Sequence, residues 1–282
     1  METLLEITNL EKQLESLHIG PIQLTVESGT ITTLVGRNGS GKSTLLKLIM
    51  NLVKPDQGNI KLLDIFTHGP DESWKQFIAY QPQTVIGWDT FTGQTLKEFI
   101  APLYRDWDEE LFQKMVSLFE IPLNRRFHRL SQGMQQKLTI ALTIPKNTPL
   151  LLLDEPTSFM DIPAKQLLMD LLVDWIDQGE RAIIMTSHQS SDIMKLSDYI
   201  NVLKNGKLIA NFEKETLFAT YQRYWLTEKL PAITIPGEVK RTANYLISSS
   251  PEQTETFLST QQIKWTTQEA LKIEEIITLL TV

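Results

Sequence analysis

One short glycine-rich stretch limits what this chain can fold into: Gly36-Arg37-Asn38-Gly39-Ser40-Gly41-Lys42-Ser43-Thr44. It fits the pattern G-x-x-x-x-G-K-[ST], in which glycines let backbone N–H groups approach phosphates and the lysine reaches their oxygens. An apolar, β-branched run at 31–35 predicts a buried strand before it, and the apolar run at 45–50 predicts a helix after it. A strand, a glycine-rich turn and a helix N-terminus together form an anion-binding site. The alternative is a glycine-rich turn with only a structural role.

The composition is that of an ordinary globular protein and argues against several classes of partner. The 282-residue chain is 41% hydrophobic and 22% charged, enough for one large domain or one domain plus an appendage. Its formal net charge of −7 argues against nucleic acid, which selects basic proteins. It has no cysteine, which excludes disulfides and thiol chemistry. We expect no signal peptide, and no run approaches the about 18 apolar residues of a membrane span.

Predicted strands alternate with predicted helices along most of the chain, which favours a mostly parallel α/β sheet. Buried strands are predicted at 77–80, 150–153 and 182–186. Helices are predicted at 108–119, 130–145 and 163–177. Short alternating segments within 1–30 and at 58–66 predict a small antiparallel sheet beside the phosphate-binding loop. The helix capped by Asp108 is expected to place Leu111, Met115, Leu118 and Phe119 on one face.

The character of the sequence changes after about residue 213. Aromatic residues there lie among polar ones, and the pattern predicts a strand at 245–247, a helix at 251–262 and an amphipathic helix at 267–280. We interpret 213–282 as a small C-terminal α/β appendage, which either caps the core or adds to a dimer contact.

Five separated features occur in one order: the phosphate-binding loop, Gln83, the stretch Leu130–Met134, the acidic pair Asp154-Glu155, and His188. In that order and at that spacing, the sequence resembles the ATP-binding cassette (ABC) ATPases, and specifically the nucleotide-binding subunit of a transporter. The resemblance covers about residues 1–212. It implies a P-loop NTPase of the α/β class: a RecA-like, mostly parallel sheet, a small antiparallel β subdomain, and a helical subdomain at about 87–145.

The resemblance also implies a role for each matching residue. ATP would bind the loop from Gly36 to Thr44, and Mg²⁺ would be held by Ser43, Asp154 and Gln83. Glu155 would be the general base, and Gln83 would contact the attacking water and couple the site to a membrane partner. His188 would hydrogen-bond the γ-phosphate. Gln81 is the weaker alternative to Gln83. Outside the family pattern, an adjacent pair of acids such as Asp154-Glu155 is usually just solvated, and a lone histidine such as His188 usually has a structural role.

Three further residues match positions that act across a dimer of such ATPases. Ser131 and Gly133 match the signature sequence, whose helix N-terminus points at the γ-phosphate held by the other subunit. The stretch Ser158-Phe159-Met160-Asp161 resembles the loop through which two subunits of the family communicate, with Asp161 as its acid. All three are expected to contact nucleotide or the subunit that holds it.

Two departures from the family pattern stand out. The signature commonly reads Leu-Ser-Gly-Gly-Gln, whereas here Gln132 replaces the first glycine and Met134 replaces the final glutamine. Similar variants occur in subunits of bacterial exporters, so activity is expected and export is favoured over import. No aromatic residue precedes Phe66, although one usually stacks on adenine near the N-terminus. Leu14 and His18 are the candidates for that contact.

The expected function is ATP hydrolysis that powers an ABC transporter, a bacterial exporter, through ATP-driven closure of a dimer. The expected partners are a separate transmembrane permease and a second ATP-binding subunit, identical or a paralogue, with no nucleic acid. The chain would then lie in the cytoplasm, peripherally on the inner face of the cell membrane. The alternatives are a soluble ABC-type ATPase switch and a regulatory module that hydrolyses poorly.

Apolar residues after Gln83 mark a predicted docking surface for the permease. Val85, Trp88 and Phe91 lie beside polar Thr84 and Asp89, as in a patch that another protein covers. The alternative is that these side chains fold into the helical subdomain's own core.

Overall fold

The computed structural model describes residues 2–228, 230 and 233–281. The chain divides into two compact units, Met1–Ala210 and Asn211–Val282. Among the described helices, none is long and apolar enough to cross a membrane. The predicted α/β fold class is confirmed, as the elements below show.

The first unit alternates strands with helices. Its strands are β1 (Thr3–Gln13), β2 (His18–Glu27), β3 (Thr30–Val35), β4 (Gln57–Leu62), β5 (Ile65–Phe66), β6 (Ile78–Gln81), β7 (Leu150–Asp154), β8 (Ala182–Thr186), β9 (Tyr199–Lys204) and β10 (Lys207–Glu213), the last of which runs past the division between the units. Its helices are α1 (Lys42–Ile49), α2 (Gly93–Ile100), α3 (Glu109–Leu118), α4 (Gln132–Ala141), α5 (Ile162–Ile176) and α6 (Ser190–Leu196).

The main sheet has the strand order β10-β9-β3-β8-β7-β6, and the pairs β9-β3, β3-β8, β8-β7 and β7-β6 are parallel. Every residue of β3, β7 and β8 is buried, as expected for the central strands of a parallel sheet whose two faces are both covered by other parts of the chain. Asp154 at the end of β7 is in register with Thr186 at the end of β8. The carboxyl ends of these strands therefore place their following loops together.

A smaller antiparallel sheet has the order β2-β1-β4-β5. Apolar side chains alternate with exposed ones along β2, as expected for a sheet with one buried face. Leu10, Ile22 and Ile60 on that face share one core with Leu34 of β3 and Leu45 of α1. The small sheet therefore packs beside the helix that follows the phosphate-binding loop.

The helix α3 differs from the prediction in which residues it buries. Its N-cap is Asp108, as expected, and Asp108 Oδ1 accepts from the Leu111 N–H at 2.8 Å. The buried stripe is Phe112, Met115 and Phe119, whereas Leu118 is 40% exposed. The predicted place of Leu118 in the core is wrong. The buried face of the helix begins at Phe112, one residue later than predicted, and residues at intervals of three and four from Phe112 do not include Leu118.

The second unit contains an antiparallel sheet with helices. Its elements are α7 (Lys214–Thr220), β11 (Gln222–Leu226), β12 (Glu238–Arg241), β13 (Tyr245–Ser248), α8 (Pro251–Thr260), β14 (Trp265–Ala270) and α9 (Ile273–Thr281). The strand order is β12-β13-β11-β14. The helix predicted at 267–280 is therefore wrong in its first half, where β14 pairs with β11. This strand lies at the edge with exposed side chains, so it shows no buried periodicity.

Candidate functional site

The phosphate-binding loop connects β3 to α1 and depends on its glycines. Gly36 has φ +154°, and a Cβ there would lie 2.2 Å from the Leu203 carbonyl oxygen. Gly41, which precedes the first turn of α1, has φ +109°, and a Cβ there would lie 2.4 Å from Ile19 Cδ1. Neighbouring strands thus press on the loop so closely that a side chain at either position would displace it.

Lys42 lies inside this loop. Its Nζ atom donates to the carbonyl oxygen of Gly36 at 2.9 Å and to that of Arg37 at 3.4 Å. Burial lowers the pKa of the Lys42 ammonium, while the nearby negative charges of Glu155 and Asp154 act in the opposite direction. The lysine is therefore held by main-chain oxygens, close to two carboxylates.

The acidic pair is fixed by the strand next to it. The Thr186 hydroxyl donates to Asp154 Oδ1 at 2.8 Å and accepts from the Glu155 N–H at 2.8 Å. Sequence reasoning did not single out Thr186. Thr186 could have been predicted from its position as the last residue of the buried strand β8, which ends beside the acidic pair. One buried hydroxyl thus contacts the carboxylate of Asp154 and the backbone of Glu155.

Within the described part of the chain, two side chains contact the Glu155 carboxylate, both at its Oε2 atom. His188 Nδ1 lies 2.9 Å away, and the Ser158 hydroxyl donates at 3.1 Å. The side chain of Glu155 is only 10% exposed, whereas that of His188 is 58% exposed. The structure therefore brings the predicted Glu155 and His188 together, with the imidazole on the solvent side of the carboxylate.

A cavity of about 460 Å³ opens beside the loop. The residues that line it come from the start of the chain, the loop, and the segments after β6 and β7: Leu14, Ser16, Leu17, Asn38, Gly39, Gly41, Lys42, Ser43, Thr44, Gln83 and Glu155. Gln81 is fully buried and its amide donates to the Pro82 carbonyl oxygen, so Gln83 is the glutamine at this cavity. His18 is not in the lining and lies 3.5 Å from Glu11.

The donors around this cavity suit a magnesium–triphosphate. An ammonium and glycine N–H groups at a helix N-terminus bind phosphate oxygens. Carboxylate, hydroxyl and amide oxygens are the ligands that Mg²⁺ takes in proteins. Ser43 and Gln83 line the cavity, and Asp154 directly precedes Glu155, which also lines it. Two leucines and a serine from the start of the chain also line the cavity.

Ser131, Gly133 and Asp161 lie outside the lining of this cavity. Ser131 caps α4 by accepting from the Met134 N–H at 3.3 Å, and Asp161 caps α5 by accepting from the Ala164 N–H at 2.8 Å. Gly133 lies against the Phe159 carbonyl oxygen, which a Cβ would approach to 2.7 Å. The three predicted residues thus lie at the beginnings of two helices and outside the cavity that Lys42 lines.

The predicted docking residues after Gln83 divide between the core and the surface. Val85 and Trp88 pack against the core that α2, α3 and α4 share with the main sheet, and the Trp88 ring meets Phe127 edge-on at 5.6 Å. Ile86 between them is 91% exposed. Phe91 and Phe99 are exposed and stack edge-on at 5.6 Å.

Known proteins share this sequence pattern. The family model described as ABC transporter matches residues 19–158. The ABC transporter ATP-binding protein YtrB of Bacillus subtilis is 30% identical over 219 residues, covering 77% of this chain and 75% of YtrB. The petrobactin import ATP-binding protein FpuC of Bacillus anthracis is 33% identical over 205 residues, covering 69% of this chain and 75% of FpuC. The chain belongs to the ABC transporter ATP-binding proteins.

This ABC ATPase also has the fold of solved cassettes. A structure of the ATP-binding subunit of an ABC transporter matches with a TM-score of 0.70 at 24% identity, covering 77% of this chain and 92% of that one. A dimeric cassette in a post-hydrolysis state, bound to ADP and phosphate, matches with a TM-score of 0.66 at 22% identity, covering 74% and 98%. The predicted family, fold class and ATPase activity are therefore confirmed.

Proposed function

We propose that this ABC ATPase powers a bacterial exporter by closing as a dimer around ATP and reopening after hydrolysis. The observation that carries the proposal is that Lys42 and Glu155 line one cavity, with the charge of Asp154 near enough to Lys42 to act on its pKa. Residues 1–212 would form the ATPase domain, with its helical subdomain at about 87–145. Residues 213–282 would form an appended unit.

The triphosphate of ATP would lie along the glycine-rich loop. Backbone N–H groups of that loop and the dipole of α1 favour the negative phosphates. Lys42 would release its main-chain carbonyls and bind the β- and γ-phosphate oxygens by charge-assisted hydrogen bonds. Ser43, Asp154 and Gln83 would hold Mg²⁺, which neutralises charge on the phosphates during transfer.

Hydrolysis would require a base beside the γ-phosphate. Glu155 would take a proton from water while the water oxygen bonds to the γ-phosphorus, and the bond to the β-phosphate oxygen breaks to leave ADP. Since both observed contacts of the carboxylate use Oε2, Oε1 is the oxygen that we assign to the water. His188 would turn from Glu155 to the γ-phosphate when ATP binds.

A second ATP-binding subunit would complete each site. Ser131 stands at the N-terminus of α4, where helix N–H groups and the helix dipole attract anions. Because Ser131, Gly133 and Asp161 lie outside the cavity lined by Lys42, we propose that they serve the nucleotide of the other subunit. Either an identical chain or a paralogue would fit this arrangement.

The direction of transport rests on the signature variant Leu130-Ser131-Gln132-Gly133-Met134, which favours export. The matched relative FpuC is named as a petrobactin import protein, so import is the competing outcome. Uptake and efflux assays in vesicles that contain the complete transporter would decide between them.

Replacing Glu155 by Gln tests the proposed ATPase mechanism. The substitution removes the base but keeps the shape, so turnover should nearly vanish while ATP affinity stays close to that of the wild type. Because the γ-phosphate is then not cleaved, Mg-ATP should hold two chains together in size-exclusion chromatography. Turnover at the wild-type rate would remove Glu155 from this role.

The permease would dock on the exposed aromatic pair Phe91 and Phe99, on the inner face of the cell membrane. Trp88 is a poor probe of docking because its ring packs on Phe127 in the core. Replacing Phe91 and Phe99 together by Ala should preserve ATP hydrolysis and reduce sedimentation with native membranes. The control is Phe66→Ala, another exposed phenylalanine, on β5.

Sedimentation also distinguishes the alternatives. Equal losses in the Phe91/Phe99 variant and in the Phe66→Ala control would contradict the docking surface. A wild-type chain that never sediments with membranes would favour the soluble ATPase switch.

A further inference from the structure

A buried glutamine on α4 contacts the backbone of the acidic pair. Gln136 is 6% exposed, and its side-chain amide donates to the carbonyl oxygen of Glu155 at 3.2 Å and to that of Pro156 at 3.0 Å. Buried main-chain carbonyls need such partners, since leaving them unpaired is destabilising. The glutamine thus supplies hydrogen bonds to the loop that follows β7.

The backbone of Glu155 needs this support because it is strained. Its φ of +52° lies in the left-handed region, which is unfavourable for a residue other than glycine. The Thr186 hydroxyl accepts from the Glu155 N–H, and the Gln136 amide donates to the Glu155 carbonyl oxygen. Side chains from β8 and α4 therefore hold the two sides of this one residue.

The helix α4 meets the same loop at a second point. Gly133 lies against the Phe159 carbonyl oxygen so closely that a Cβ would come within 2.7 Å of it. Gly133 and Gln136 are three residues apart and so lie on one face of the helix. The two contacts fix α4 in register along the loop from Glu155 to Phe159.

We propose that Gln136 is a positioning residue for Glu155, which ties the strained backbone of the general base to α4. This rests on the proposed role of Glu155 as the base. The helix that carries Ser131 at its N-terminus thereby sets where the Glu155 carboxylate stands. A displacement of about 1 Å at a reacting group lowers the rate by about a hundredfold, so a small shift of α4 is enough to control hydrolysis.

Replacing Gln136 by Leu or by Met tests the assignment. Both remove the donor, and Met keeps an unbranched chain that packs adaptably, which protects folding. We expect kcat per nucleotide-binding site to fall about tenfold or more, as the loss of a buried hydrogen bond implies, with KM for ATP nearly unchanged. The matched control is Gln135→Leu, whose native amide donates to the carbonyl oxygens of Phe127 and Leu130 instead. It should keep the wild-type kcat.

A double substitution separates positioning from a merely structural effect. With Glu155→Gln already in place there is no base to position, so adding Gln136→Met should leave the residual rate unchanged. An unchanged kcat in Gln136→Met, or the same fold loss with and without Glu155→Gln, would overturn the assignment. Wild-type turnover by Glu155→Gln alone would instead refute the proposed function.

Discussion

His188 Nδ1 lies 2.9 Å from Oε2 of Glu155, so an exposed imidazole stands directly over a buried carboxylate. The two residues follow neighbouring parallel strands, β7 and β8, whose ends are in register. Sheet geometry alone therefore brings together residues that are far apart in the sequence. The same register places Thr186 against Asp154, and both relationships lead to tests.

Replacing Lys42 by Ala should abolish ATP binding. It removes the charge-assisted contacts to the β- and γ-phosphates, so affinity and ATP-dependent dimerisation should be lost together. Titration with a fluorescent ATP analogue measures the first, and light scattering measures the second. Lys47→Ala is the control, because Lys47 is an exposed lysine on the same helix. Unchanged affinity in Lys42→Ala would contradict the assignment of the loop.

Replacing Thr186 by Val should impair hydrolysis more than binding. The valine keeps the shape but leaves the Glu155 N–H and Asp154 Oδ1 without their buried partner, at a cost of about 1–3 kcal/mol in stability. Turnover should fall because both acids lose their orientation, while ATP affinity changes less.

The control for Thr186→Val is Thr33→Val. Thr33 is equally buried in the same sheet, and its hydroxyl lies 2.6 Å from the Ser197 hydroxyl. This variant should lose similar stability, seen in thermal unfolding, and keep its turnover at permissive temperature. Equal turnover losses in the two variants would show that Thr186 acts only through stability.

The main sheet and the residues of the acidic pair were predictable because their signals are local. Four leucines before Asp154 announce a buried strand, and the glycine pattern announces the loop. Contacts made by tertiary packing were not predictable. The roles of Thr186 and Gln136 depend on which strand and helix lie beside the acids, and β14 depends on pairing with β11 across the chain. The periodicity of apolar residues along one segment does not show which other strand or helix lies beside it.

Lys146 predicts a pH dependence of stability. Burial lowers the pKa of its ammonium to about 8, although the Tyr104 ring lies 5.0 Å below it. The usual pKa of a lysine is about 10.4. Between pH 8 and that value the unfolded chain binds more protons than the folded one, so stability rises with pH. Below pH 8 the ammonium is charged in both states, and the cost of burying its charge is fully present. Replacing Lys146 by Met should therefore stabilise the protein at pH 7 by about 1–3 kcal/mol, and this gain should shrink towards pH 9.5.

Thermal unfolding at the two pH values measures the effect of Lys146→Met. The control is Lys114→Met, since Lys114 is an exposed residue of α3, and it should show no such gain. A gain from Lys146→Met that is the same at both pH values would mean that packing, and not charge burial, is responsible.

Discrimination between nucleotide bases should be poor. Leu14, Ser16 and Leu17 help to line the cavity, and none of the described residues in its lining is aromatic. Aromatic stacking is worth about 1–3 kcal/mol per base in nucleic-acid binders, so the phosphates should supply most of the affinity here. GTP should therefore compete with ATP within about tenfold, which corresponds to about 1.4 kcal/mol.

Replacing Leu14 by Tyr should add a ring and increase the affinity for both nucleotides. Leu52→Tyr, at an exposed leucine outside the cavity lining, should increase neither affinity. Competition titrations measure the affinities of ATP and GTP for the wild type and for both variants. A preference for ATP of about a hundredfold or more in the wild type would mean that a specific polar contact reads the base, with Ser16 as the first residue to replace.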